Sequence, residues 1–205
     1  IDFLLAYGKR RSFSIANAPT GADHLELHIR LVPGGQFTTH VFEKLKEKDI
    51  LRFEGPLGSF RLREDSVRPV ILLAGGTGFA PIKSIVENAI ATGLKRPMTL
   101  YWGSRDLTGL YQFDIARGWE ARLPGFQFVP VLSDAPASDG WTGRSGFAHH
   151  ALMADLPDLS GHEVYACGSP AMIEAARADL TGRCGLPPEA FLADAFSYSN
   201  DARAA

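Results

Sequence analysis

The sequence predicts two unlike halves, an antiparallel all-β domain followed by an α/β domain built on a doubly wound parallel sheet. Three observations carry that expectation. Up to about residue 63, short strand candidates are separated by turn residues. Beyond Pro69, apolar runs alternate with helix-like segments. A glycine-rich turn follows the first of those runs. Strand and helix signals in alternation mean a parallel sheet covered by helices. The polar stretch Arg61–Arg68 ahead of Pro69 marks the boundary, giving domains 1–66 and 67–205.

In the first half, IDFLLAY, RSFSIAN, HLELHIRLV and DILRFEG read as strands. HLELHIR alternates: Leu25, Leu27 and Ile29 share one face, while His24, Glu26, His28 and Arg30 share the other. One helix interrupts the strands after the Pro33-Gly34-Gly35 turn. Thr38 or Thr39 is its expected cap, and Val41, Phe42 and Leu45 form its apolar stripe. In the second half PVILLAGG is apolar throughout, as a strand buried on both faces should be. A helix is expected from Pro81, with Ile82, Ile85, Val86, Ala89 and Ile90 at helical spacing. The unit recurs as MTLYWG with YQFDIARGWEARL, FQFVPVL with SGFAHHALMADL, and EVYACG with PAMIEAARADL, and FLADAF returns as a last strand.

Composition narrows the function classes. The 205 residues hold 21 Lys and Arg against 23 Asp and Glu, a formal charge of −2, which offers no footprint for nucleic acid or an anionic membrane. No apolar run approaches the roughly 20 residues that span a bilayer. Two cysteines, Cys167 and Cys184, are too few for a disulfide framework, a zinc site or a four-cysteine iron–sulfur cluster within this chain. The expected setting is soluble and cytoplasmic, without a signal peptide. His149 and His150 are adjacent, so on a helix they point about 100° apart and read as solvated residues; no metal site is expected. Trp102, Trp119 and Trp141 read as packing residues.

Four stretches could carry chemistry. In AGGTGFAP, Gly75, Gly76 and Gly78 let the backbone approach a ligand, and Pro81 fits a first helical turn whose free N–H groups attract a pyrophosphate. Lys83-Ser84 does not complete a GxxxxGKS phosphate loop, because Thr77 and Ile82 stand where glycines are needed. ACGSP puts Cys167 at the carboxyl end of a strand, facing the same crevice or simply buried as a small thiol. In RRSFSIANAP, Arg11 suits a phosphate, Phe13 a flat ring and Ser14 a ring nitrogen; strict alternation puts Phe13 and Ser14 on opposite faces unless the strand bends. GGQFTTHVF adds a second helix start with two threonines.

Arg11-x-Phe13-Ser14, then GGQFT, GGTGFAP, CGSP and a terminal aromatic, in that order, resemble the ferredoxin–NADP reductase superfamily. Within it the chain is most similar to reductases that serve oxygenases and to the CDP-deoxyglucoseen reductase branch. The resemblance implies a flavin-binding β-barrel, FAD as cofactor, and a nicotinamide-nucleotide domain taking NADH, with NADPH as the alternative. Arg11 would hold a flavin phosphate, Phe13 would lie by the isoalloxazine or ribityl, and Ser14 would contact the N5 edge. Relatives usually carry Tyr at the Phe13 position, so one hydroxyl contact is lost. Gly35, Thr38 and Thr39 would bind flavin phosphates, and Gly76, Thr77 and Gly78, with Pro81, would take the nicotinamide dinucleotide. Cys167 and Gly168 would lie by the nicotinamide, and Phe196 would cover the flavin beside Asp194. Ser14, Cys167, Asp194 and Phe196 are thus the catalytic candidates.

The implied reaction passes a hydride from NAD(P)H to FAD and then single electrons to an iron–sulfur acceptor. Any [2Fe–2S] group would sit on an upstream domain or a partner. Arg105, after the second α/β strand, lies where a 2′-phosphate would bind, although many oxygenase-type relatives use NADH. IDFLLAY, with RxFS directly after it, would correspond to an internal barrel strand, so the expected barrel is N-terminally truncated and open at one edge. The rival reading is a flavin-barrel-like binding or regulatory module without redox work; Ser14, Thr77 and Cys167 argue against it.

Overall fold

The computed structural model describes residues 1–5, 9–20 and 23–196. Its first half holds β1 (Asp2–Leu4), β2 (Arg10–Ser12), helix α1 (Gln36–Glu43) and β3 (Phe53–Glu54). The strands form an antiparallel three-stranded sheet in the order β2-β1-β3, with Phe3 opposite both Arg11 and Phe53. Buried Ile1, Phe3 and Phe37 make its core. The Phe13 ring lies 5.9 Å from that of Phe3 and 5.4 Å from that of Phe37. Residues 6 and 7 of the expected first strand lie outside the described residues.

Two expectations for this half need correction. HLELHIR forms no strand; its alternation survives only as a single Ile15–Leu27 bridge. Leu27 and Ile29 pack on the small core, whereas Leu25 is exposed. Alternation supplies a half-buried face, but a strand also needs a partner ladder along its length. Neither threonine caps α1: the N-cap is Gly35, without a side-chain hydrogen bond. Thr38 lies inside the first turn, where its hydroxyl accepts from the Val32 N–H at 3.1 Å and so ties the helix back to the turn before it.

The second half runs β4 (Val70–Gly75), α2 (Phe79–Thr92), β5 (Met98–Ser104), α3 (Phe113–Gly118), β6 (Phe126–Leu132), β7 (Arg144–Ser145), α4 (Ala148–Asp155), β8 (Glu163–Gly168), α5 (Pro170–Arg183) and β9 (Phe191–Ala195). These strands form one six-stranded sheet, ordered β7-β6-β5-β4-β8-β9, parallel throughout. Its central strand explains the apolar run: Val70, Leu72 and Ala74 pack into one core, Ile71 and Leu73 into the other. Helix α2 starts at Phe79, two residues before the expected Pro81, because a tight turn over Gly76–Gly78 already winds the chain. The short edge strand β7 was not foreseen. All three tryptophans do serve packing, Trp102 and Trp119 fully buried and Trp141 against the same core.

The order reverses at β4, from which the chain steps first to β5 and later returns to β8 on the other side. Ligand crevices in open parallel sheets lie at such a switch point. Here the crossing is tight: a Cβ on Gly78 would overlap the Cys167 carbonyl, and one on Gly75 would overlap the Met172 sulfur. Gly76 instead needs glycine for its conformation, with φ at +53°, and faces open space. The Trp102 indole donates to the Gly76 carbonyl at 3.0 Å. The Phe79 ring stacks on Trp102 at 3.9 Å.

A buried ion pair ties the polar segment 63–68 to the sheet. Arg96 Nη2 lies 2.6 Å from Glu163 Oε2, and both side chains are under 5% exposed. Arg96 also donates to the Arg68 and Arg63 carbonyls and to Ser66 Oγ. Tyr165 donates to Glu163 at 3.0 Å and accepts from the Arg63 N–H at 2.9 Å. Burial pushes the Glu163 carboxyl up, but hydrogen bonds from Ser66, Arg96 and Tyr165 outweigh it and hold the group below its ordinary range. A depressed carboxyl contributes stability above its unfolded-state value of 4.5, and loses it as the pH falls through the lower folded value.

Arg96→Met strands the Glu163 carboxylate in the interior, so it should cost about 3–5 kcal/mol in urea unfolding at neutral pH. The deficit should shrink below pH 4.5 as the unaltered protein loses the same contribution. Gly78→Ala should cost about 3 kcal/mol by forcing two backbones apart. Gly76→Ala should cost only about 1–2 kcal/mol, the penalty of a left-handed alanine. Equal losses at the two glycines would contradict the packing described.

Candidate functional site

A cleft of about 1490 Å³ opens between the two halves. Two helix starts border it. Helix α1 follows Gly35 and α2 follows Gly78, neither capped by a side chain and neither carrying an acidic residue in its first turn. The α1 amides ahead of Thr39, whose N–H is the first to bond back, to the Gly35 carbonyl, lack intrahelical partners and favour negative charge; at α2 the Phe79 N–H already donates to the Gly76 and Thr77 carbonyls, so the open amides there belong to the turn before it. The third helix start on the cleft, that of α5, is closed: Ser169 Oγ accepts from the Met172 N–H at 3.3 Å. A Cβ on Gly76 would meet no protein atom within 4 Å and would stand in the cleft itself. A long ligand with a phosphate group near each of two helix starts fits this donor set.

Arg10 is exposed and pairs with Glu54 at 2.6 Å and Asp2 at 3.6 Å, fastening β2 across the sheet. Arg10 and Arg11 both line the cleft. Strand β2 ends at Ser12, and past that point Phe13 and Ser14 both line the cleft. The Phe13 ring packs on Phe3 and Phe37 while the Ser14 hydroxyl reaches Asp194, so the two side chains meet the cleft from different surroundings.

Gly35, Thr38, Gly76, Thr77 and Pro81 also border the cleft. Thr39 does not, and the Thr38 hydroxyl is engaged with Val32. On the far wall Asp194 and Phe196 face in from the end of β9. Ser14 Oγ donates to Asp194 Oδ2 at 3.3 Å, joining the two halves at one point. The Phe196 N–H donates to the Gly168 carbonyl at 2.9 Å, which fixes the aromatic beside the end of β8.

Cys167 lies under this wall rather than in it. It pairs in register with Asp194 and is wholly buried. Burial pushes its thiol well up, and the Asp194 carboxylate adds to the rise, so the sulfur stays protonated. Gly168 is equally closed in: a Cβ there would lie 2.8 Å from the Met172 sulfur. Arg105 sits apart at the end of β5, exposed, with Nη2 3.0 Å from Asp134 Oδ2.

The expectation for the paired histidines fails for one of them. His149 is buried, its Nε2 3.4 Å from Asp179, while His150 is exposed and 3.7 Å from the same oxygen. The start of α4 packs its first turn against α5, which the short SGFAHH segment does not reveal. Burial, with His150 beside it, lowers the His149 pKa, so its contact with Asp179 is a polar tie between α4 and α5, and the carboxylate's charge partner is Arg183 on the same helix at 3.4 Å.

Residues outside the expected set also build the cleft. Leu57, Gly58 and Ser59 line it from the EGPLGSF turn, where Gly58 has φ of +88°. The double glycine was the available signal. Lys83, set aside as a phosphate ligand, is buried and paired with Glu26 and Glu87, each at 2.9 Å.

Comparison with known proteins accounts for both walls. An "Oxidoreductase FAD-binding domain" family matches residues 5–62, and an "Oxidoreductase NAD-binding domain" family matches residues 72–178. The chain is 48% identical to the CDP-6-deoxy-L-threo-D-glycero-4-hexulose-3-dehydrase reductase of Yersinia pestis, over 94% of this chain and 57% of that protein. It is 39% identical to reductase component 1 of a Comamonas terephthalate 1,2-dioxygenase, over 94% of this chain and 56% of that protein. The chain thus spans little more than half the length of these relatives. Among solved structures, an Amycolatopsis cytochrome P450 reductase superposes with a TM-score of 0.87 at 36% identity, covering 96% of this chain and 60% of that one. Among the described residues, no helix is long and apolar enough to cross a membrane. With an FAD-binding and an NAD-binding match on the two sides of a single cleft, the chain belongs to the ferredoxin reductase-like family of FAD- and NAD-dependent oxidoreductases.

Proposed function

We propose that this chain is the flavin- and nicotinamide-handling part of a reductase that passes a hydride from NAD(P)H to FAD and then single electrons to an iron–sulfur acceptor. An oxygenase or a deoxysugar-forming dehydrase is the expected system served, by analogy with the relatives' names. The observation that carries the reading is the Ser14–Asp194 hydrogen bond, which joins the two halves at the cleft. The FAD-handling part would end near residue 66 and the NAD-handling part begin at 67.

Bound together, the two cofactors would supply hydride transfer and the change from two-electron to one-electron chemistry. The protein's work is to bind, orient and exclude water. In this reading Arg11 and the α1 start, with Gly35 and the Thr38 backbone, hold the flavin phosphates, and Thr39, which lies off the cleft, takes no part. The turn before α2, with Gly76, Thr77 and Pro81, holds the nicotinamide dinucleotide, and Gly78 contributes by letting that turn pack on the end of β8. Ser14 presents a hydroxyl whose direction Asp194 fixes, Phe13 and Phe196 supply flat apolar walls, and Cys167 with Gly168 shapes the pocket floor. Reactive groups held in near-attack geometry gain most of their rate from that placement. The protonated, buried Cys167 is unsuited to act as a nucleophile.

Asp134 bears on the coenzyme. Its carboxylate already neutralises Arg105 and would repel a 2′-phosphate, which favours NADH.

In the flavin-loaded protein, Cys167→Ser should slow anaerobic flavin bleaching by NADH about tenfold, a loss of about 1.4 kcal/mol, with flavin still bound. A trapped thiol adduct in the unaltered protein would point to covalent catalysis instead. An absence of flavin bands, or bands that NADH leaves unbleached, would favour the binding-module reading. Steady-state kinetics should give a higher kcat/KM for NADH than for NADPH, and Asp134→Asn should narrow the gap several-fold. A preference for NADPH in the unaltered protein would reverse the assignment.

A further inference from the structure

A second set of polar contacts joins the two halves away from Ser14 and Asp194. From the first half, Glu26 places Oε2 2.9 Å from Lys83 Nζ and Oε1 2.8 Å from His28 Nε2. A carboxylate only accepts, so in the neutral imidazole Nε2 carries the proton and Nδ1 accepts from the Tyr111 hydroxyl, 2.7 Å away. From the second half, Lys83 also pairs with Glu87, and Ser84 Oγ donates to the Asn17 carbonyl at 2.9 Å. Asn17 Oδ1 in turn accepts from the Glu26 N–H at 2.9 Å. The Lys83 and His28 side chains are each only 6% exposed, so the set is not a loose surface bridge.

This chain ends at the glycine loop. The Tyr111 ring stands edge-on to Trp102 at 5.4 Å and to Phe79 at 6.0 Å. Phe79 follows Gly78 directly, and Trp102 holds the Gly76 carbonyl. Burial pushes the Tyr111 hydroxyl up, and the Glu26 carboxylate adds to the rise. Burial likewise raises the Glu26 carboxyl, but hydrogen bonds from Lys83 and His28 more than reverse that, so it stays ionised.

We propose that Glu26, His28, Lys83 and Tyr111 are positioning residues, an interdomain clamp that fixes how far the glycine loop stands from Ser14. The proposal rests on the reductase reading, since its purpose is the spacing of the hydride step. None of the four needs to touch the reacting atoms. A displacement of about 1 Å at a reacting pair can cost on the order of a hundredfold in rate, so a clamp at the domain junction acts on rate more than on affinity.

The test uses the full-length, flavin-loaded protein and stopped-flow reduction by NADH without oxygen. Tyr111→Phe keeps the ring packing and removes one hydroxyl; Glu26→Gln keeps the shape and removes the charge. Each should lower the limiting reduction rate about tenfold while flavin content and half-saturating NADH stay unchanged. Because Tyr111 is linked to Glu26 through His28, the double variant should lose clearly less than the hundredfold that independent sites would give. Hydrogen exchange on the flavin-free protein supplies the second readout: the Ala16 and Glu26 amides, bonded beside the clamp, should exchange faster in Glu26→Gln. Native reduction rates, a hundredfold loss in the double variant, or unchanged exchange would each overturn the clamp. Failure of NADH to bleach the unaltered protein would remove the reductase reading itself, and that outcome is seen before any variant is made.

Discussion

The contact between Gly78 and the Cys167 carbonyl is the constraint on which the rest of the structure depends. No side chain fits between these two backbones, so the turns after β4 and β8 meet directly. That meeting closes the sheet's switch point, aims the start of α2 into the cleft and brings the end of β8 beneath it. Asp194 follows from the same register, because β9 pairs with β8 and sets Asp194 opposite Cys167. Ser14 then finds its partner there. A single missing methyl thus underlies the joint between two halves that are far apart in sequence.

The α/β half was largely legible before the structure. Its signals are redundant: VILLAG is apolar on both faces, glycines and Pro170 mark the strand ends, and helical spacing follows each run. FQFVPVL and EVYACG became strands with the boundaries that their apolar pattern implied. The β half was less legible because its order comes from pairing. HLELHIR has a clean alternation and still forms no strand, since periodicity specifies a face and says nothing about a neighbour. The Thr38 cap failed for a related reason. A cap is chosen by the local backbone, and the Gly34-Gly35 turn puts Gly35, not a threonine, at the helix start.

Site residues divide the same way. Glycines and the Arg11-x-Phe13-Ser14 stretch carry their meaning locally, because backbone approach and strand ends are local properties. Glu26, His28, Lys83 and Tyr111 carry none alone. Lys83 in particular looked like half of a phosphate loop, and its actual partners, Glu26 and Glu87, lie 57 and 4 residues away. The polar face of HLELHIR held the missing signal. Charged residues on the exposed side of a lone strand need only water, whereas here Glu26 and His28 meet a lysine and a tyrosine from the other half.

The buried aromatic pile explains why such a thin joint can hold a site in register. Phe79 stacks between Trp102 at 3.9 Å and Trp119 at 5.5 Å, and Tyr111 closes the edge. These rings are rigid, with few rotamers to lose on folding, and their large buried area anchors the first residue of α2. The glycine loop therefore hangs from a fixed ring at one end and from an indole hydrogen bond at Gly76. Flexible glycines could wander if left to themselves. Held at both ends, they keep their freedom of approach while the turn before α2 stays at the cleft, so the stability of the core and the precision of the site rest on the same side chains.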